Sequence, residues 1–233
     1  MAKVLVTLFH LLCFLITGFG LYYDTFVVTY GWSVYAGKVR YATYWDIVLQ
    51  TIYFGLALVS DIYNRNDFDK NNAFSNELYS KTKLKRLVRY ISCGMAFPLG
   101  NFVCLSFWII FFFHRELIYP SYLDDIIPWW LNHILHSVPI VLQWLDKFFY
   151  NQTYPKNGVI GILALTGCYQ VWMVWIAHRT RTWIYPFLDY LPIWYRILFL
   201  ACMWGCLAGF YFVGEFLHYI FWTRKSRKNV KLY

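Results

Sequence analysis

The chain has 233 residues, 60% of them hydrophobic and 14% charged, with a formal net charge of +9. A soluble globular domain carries about a quarter charged residues, so the composition excludes an ordinary soluble enzyme or binding module. Nucleic acid is excluded as a partner by where the charge lies. The basic residues sit between apolar runs and in the tail Arg224, Lys225, Arg227, Lys228 and Lys231, where they orient a membrane chain and meet anionic lipid headgroups.

Crossing a hydrocarbon core of ~30 Å takes about 20 helical residues. Six runs are long and apolar enough, near 4–22, 44–62, 90–113, 127–146, 158–177 and 196–222, which predicts an all-α polytopic transmembrane bundle of about six spans in one domain over 1–233. The first run is too long for a signal-peptide core and no A-x-A site follows it, so it is read as a retained span. Between the second and third, Asn64–Lys83 is polar and reads as a flexible cytosolic loop. Gly94, Pro98 and Gly100 predict a kink in the third run, and Pro139 predicts one in the fourth. In the sixth, Ala201, Gly205 and Gly209 recur every four residues and predict close helix packing inside the bundle. Residues 223–233 form a basic tail.

Lys3, the 62–89 connection, Lys147, Lys156 and the tail hold most of the Lys and Arg. The smaller set (Lys38, Arg40, Arg115, Arg179, Arg181, Arg196) falls on the other side, which predicts cytosolic termini. The sequon at Asn151-Gln152-Thr153 is then cytosolic and unused. The six cysteines lie in spans without CxxC spacing and read as apolar fillers. The endoplasmic reticulum and the plasma membrane both remain open as locations.

Polar residues within spans are the informative ones, because each costs free energy unless it faces protein or water. They are Asp46, Asn132, His133, His136, His178, Glu215 and His218; Asp61 is set aside as close enough to a helix end to reach water. His133 and His136 lie three apart and share a helix face ahead of Pro139. A three-ligand zinc site from His133, His136, His178 and Glu215 is chemically conceivable, but no HExxH, GxSxG or Walker motif is present. Hydrolysis without metal needs a hydroxyl near a histidine, and Thr7, Thr17, Thr43, Thr51, Ser60, Ser92, Ser106, Ser137 and Thr166 are all available. Thr43 and His136 reach similar depth if the second helix starts a turn early or the fourth starts late.

Thr43-Tyr44-Trp45-Asp46, Ala96-Phe97-Pro98-Leu99-Gly100, Phe107-Trp108-Ile109-Ile110 and Arg115-Glu116-Leu117-Ile118-Tyr119-Pro120 are followed in order by four further segments. Those are Ile127-Pro128, Trp130-Leu131-Asn132-His133 with His136, Trp183-Ile184-Tyr185-Pro186-Phe187-Leu188, and Gly214-Glu215. Together they resemble the androgen-induced protein and androgen-dependent TFPI-regulating protein family of multi-span membrane hydrolases, across nearly the whole chain. The resemblance implies hydrolysis of fatty acid esters of hydroxy fatty acids, with Thr43 as nucleophile, His136 as base, and no metal or other cofactor. On that basis His136 takes the proton of Thr43 as its oxygen attacks the ester, and Asp46 orients the base or structures the helix entrance. Asn132, Tyr119 or backbone amides serve the oxyanion, and His133 and Glu215 give support. The lipid substrate enters laterally from the bilayer; no protein partner is indicated. A different class stays open beside this one: a non-enzymatic transporter or regulator whose intramembrane histidines are structural.

Overall fold

The computed structural model describes residues 2–63 and 83–223. The loop expected at 64–83 and the tail at 223–233 fall outside the described residues, apart from Lys83 and Thr223. Among the described residues five helical runs are long and apolar enough to cross a membrane: Val4–Val27, Ala42–Tyr63, Lys83–Leu117, Gly158–Thr180 and Ile193–Thr223. They contain α1 (Ala2–Tyr22), α2 (Ala42–Tyr63), α3 (Lys83–Ile91), α4 (Phe97–His114), α7 (Gly158–Thr180) and α9 (Ile193–His218), with the short α8 (Phe187–Tyr190) ahead of α9. The protein is an all-helical integral membrane protein.

The run expected as a single helix over 127–146 is instead two helices, α5 (Trp129–His136) and α6 (Val138–Phe149). They break at Ser137, whose backbone leaves the helical region at φ −127°, ψ −42°. Pro139 has no N–H to offer the carbonyl of Leu135, so the ladder cannot run through this point. At 8 and 12 residues, each piece is shorter than a span. Trp108 of α4 secures the joint, its indole N–H reaching the carbonyl of His136 (2.9 Å) and Oγ of Ser137 (3.0 Å).

Where the sequence predicts a kink in the third run, a π-turn, Ser92–Ala96, joins α3 to α4. Gly94 lies there against α7: a Cβ built on it would come within 2.7 Å of the carbonyl oxygen of Gly158. The small face of α9 behaves oppositely to expectation. A Cβ at Gly205 or Gly209 would meet nothing within 4 Å, because α9 packs inward through Met203, Leu207, Tyr211 and Gly214. Gly94→Ala should therefore lower stability by about 1–3 kcal/mol, since backbone opposes the added methyl, whereas Gly205→Ala should be near neutral. Thermal unfolding of the two variants in detergent separates them.

The start of α2 is anchored from the loop before it. Lys38, itself buried, donates to the side-chain oxygen (2.7 Å) and backbone carbonyl (2.5 Å) of Asp24. Gly31 (φ 92°) and Gly37 (φ 51°) supply the left-handed turns that fold this loop back. The chain thus enters α2 at Ala42 in a fixed direction, with Thr43 on the first turn. At the other end of the bundle, His10 of α1 meets Asp61 at the end of α2 and Asp146 of α6, while Trp222 donates to the carbonyl of Lys147. The described ends of the chain therefore lie on one side of the bundle, opposite Thr43.

Candidate active site

The half-buried Thr43 and the buried His136 are 93 residues apart in sequence, and their Oγ1 and Nε2 atoms lie 3.3 Å apart. The direction of this bond follows from the other ring nitrogen. Nδ1 of His136 lies 3.1 Å from the backbone carbonyl oxygen of Asn132 and 2.8 Å from its Oδ1. A carbonyl oxygen can only accept, so Nδ1 carries the proton and Nε2 presents its lone pair to Thr43. The imidazole is held flat by Phe107 of α4, with ring centroids 3.6 Å apart and planes 12° apart. The result is a Thr–His–Asn row in which the base has one tautomer and one orientation.

Around this row α2, α4 and the α5–α6 joint meet in successive turns. The outermost turn holds Thr43, Phe107 and His136. The next holds Asp46, fully buried, with Gly100 and Pro139 beside it: a Cβ on Gly100 would lie 3.6 Å from Oδ1 of Asp46 and 3.7 Å from Cβ of Pro139. The third holds Gln50 and Gln143. Gln50 Nε2 donates to Asp46 Oδ1 (2.8 Å) and to the carbonyl of Ala96 (3.0 Å), and Gln143 Nε2 donates to Gln50 Oε1 (2.7 Å). Oδ2 of Asp46 and Oε1 of Gln143 are buried without a hydrogen-bond partner among the described residues.

The remaining residues singled out in the sequence do not join the row. His133 is exposed, stacked on Trp108 (5.4 Å, 27°) with its Nδ1 3.0 Å from Oγ of Ser137, so the two histidines of the i, i+3 pair point apart. His178 and Glu215 are exposed on α7 and α9. The conceivable zinc set is not assembled, and no group of three His, Cys, Asp or Glu suited to a metal occurs among the described residues. One expected oxyanion donor is otherwise engaged: Tyr119 donates to the carbonyl of Leu123 (3.3 Å). His218 bonds Asn151 Oδ1 at 2.9 Å.

A second polar cluster was not anticipated. His10 is fully buried, with Nδ1 2.7 Å from Asp61 Oδ2 and Nε2 3.0 Å from Asp146 Oδ1. Asp146 Oδ2 also accepts from Tyr53 (2.6 Å) and Gln152 (3.4 Å). The buried Lys147 donates to Ser92 (2.6 Å). One signal was present in the sequence. Thr43, Asp46, Gln50, Tyr53, Ala57 and Ser60 recur every three or four residues, so α2 presents a single face that is polar for most of its length.

The model of the FAR-17a/AIG1-like protein family matches residues 5–219. The chain belongs to this family. Within it, the chain is 31% identical over 202 residues to the human (Homo sapiens) androgen-induced gene 1 protein, covering 85% of this chain and 84% of the relative. It is also 31% identical over 196 residues to the human androgen-dependent TFPI-regulating protein, covering 82% and 81%. A fission-yeast (Schizosaccharomyces pombe) membrane protein is 26% identical over 111 residues, covering 46% of this chain and 47% of the relative. No solved structure matches. Membership of the FAR-17a/AIG1-like family agrees with the resemblance drawn from the ordered segments around Thr43, Phe107 and His136.

Proposed function

We propose that this protein is an intramembrane hydrolase of lipid esters, acting on fatty acid esters of hydroxy fatty acids with Thr43 as nucleophile and His136 as base. The observation that carries this reading is the Thr43 hydroxyl within 3.3 Å of a histidine nitrogen whose opposite nitrogen is held by Asn132. Nucleophile, base and orienting group in a row are what acyl transfer requires.

His136 Nε2 takes the hydroxyl proton as Oγ1 of Thr43 attacks the ester carbonyl. The tetrahedral oxyanion forms at the first turn of α2, where the helix dipole favours negative charge. Collapse passes the proton from His136 to the departing hydroxyl of the hydroxy fatty acid and leaves an acyl-Thr43 ester. Water, deprotonated by His136, then cleaves that ester and restores Thr43. With the termini cytosolic, as the basic residues favour, the row opens toward the non-cytosolic leaflet, where a lipid ester enters sideways.

The test is covalent labelling. Purified wild-type protein in micelles should take up a fluorophosphonate probe on Thr43, and Thr43→Ala should lose the label and all ester turnover while keeping its elution profile. Equal turnover by Thr43→Ala would refute the nucleophile. The buried His10–Asp61–Asp146 cluster favours the competing transporter or regulator reading, since ionisable intramembrane groups also mark conduction paths. That reading predicts no labelling of the wild type.

A further inference from the structure

Asp46 plays no part in the acylation described above, and one of its oxygens is unexplained. The carboxyl is fully buried, Oδ1 accepts from Gln50, and Oδ2 has no partner among the described residues. A buried polar atom left unpaired is costly, and native proteins rarely keep one without a use. Its position is specific. Asp46 lies on the same face of α2 as Thr43, one turn further in, between the same two helical neighbours that flank the Thr43–His136 pair. The three-residue step from Thr43 to Asp46 is a rise of ~4.5 Å along the helix, within the reach of a single water making hydrogen bonds of about 2.8 Å in each direction.

We infer that Asp46 is a catalytic residue for the second half of the reaction: its Oδ2 holds the water that hydrolyses the acyl-threonine. This rests on the hydrolase reading and extends it. Once Thr43 is acylated its oxygen has no proton to give, and His136 Nε2 becomes free to accept from water. A water between the two acceptors gives one O–H to Nε2 and the other to Oδ2, which turns its oxygen lone pair to the acyl carbon. The oxygen bonds to that carbon while its proton passes to Nε2. The C–O bond to Thr43 then breaks, Oγ1 recovers the proton from His136, and the fatty acid leaves. Gln50 keeps the carboxyl in register: donating to both Oδ1 and the Ala96 carbonyl, it fixes which oxygen is free.

Asp46→Asn tests this with little change in shape. Gln50 Nε2 is a donor and retains the amide oxygen, so the new NH2 group occupies the Oδ2 position and presents donors where the water needs an acceptor. With a chromogenic ester, labelling of Thr43 by the fluorophosphonate should stay within about threefold of wild type. Steady turnover should fall about a hundredfold or more. The time course should show a burst of about one equivalent of leaving group, with an acyl adduct on the Thr43 peptide by mass spectrometry. Unchanged turnover would overturn the inference, as would labelling and turnover falling together, which would mark Asp46 as structural. A wild type that neither labels nor turns over would instead sink the hydrolase reading itself.

Discussion

His136→Ala should lower ester turnover by about a thousandfold to ten-thousandfold, leaving the protein folded and embedded. The size follows from the two jobs its Nε2 performs, proton removal from Thr43 and later from water, with general-base catalysis alone supplying about 10²–10⁴. Alanine also removes the ring stacked on Phe107 and leaves Asn132 Oδ1 without its donor, so some loss of stability accompanies the chemical loss. His136→Gln is the sharper control, because its amide fills part of the same space but cannot serve as a base near neutral pH. Turnover of both variants, measured at protein concentrations matched by size-exclusion, checks the expectation. Activity of His136→Gln within tenfold of wild type would remove His136 from the mechanism.

Asp146→Ala should be the most destabilising substitution outside the site, costing roughly 3–5 kcal/mol. Both nitrogens of His10 face carboxyl oxygens, so with Asp61 and Asp146 ionised the ring donates from each side as an imidazolium. Removing Asp146 deletes one of its two counter-charges and strips Tyr53 and Gln152 of a shared acceptor. Asp146→Asn keeps the acceptor oxygen and should cost less. The physical signature is non-additivity. Pairing His10→Leu with Asp146→Leu removes both the cation and one of its carboxylates, so the double variant should lose less than the two single losses combined. Thermal unfolding of the four proteins in one detergent completes the cycle, and additive losses would show that the contact carries no coupling.

Membrane residence and helical class could be read from the chain because they depend on summed apolarity, which needs no knowledge of neighbours. Helix breaks were legible in part. Pro139 announced a disturbance in the fourth run, but whether the chain bends or stops was decided by Trp108, a residue on another helix that bonds the freed groups. Thr43 and His136 were reached through the ordered resemblance and a depth argument, since many hydroxyls were equally available. The orienting role of Asn132 was not read from the sequence: its i, i+4 spacing from His136 turns its oxygen onto the ring. His10 was overlooked because one histidine in a leucine-rich run looks incidental until helices 51 and 136 residues away bring carboxylates to it. Asp61 was set aside as close enough to a helix end to reach water, yet it meets His10 there. Partners distant in sequence cannot be paired from composition or periodicity.

The polar face of α2 has a mechanical meaning as well as an electrostatic one. Each bonded residue along it, from Gln50 through Tyr53 to Asp61, engages a counterpart on a surrounding element. Together they act as splines on a shaft. Rotation of α2 by a single residue, about 100°, would unmake every one of these contacts at once, and it would swing the threonine at its tip away from the imidazole. The aim of the nucleophile is thus set along the whole helix, down to a clamp at the far leaflet.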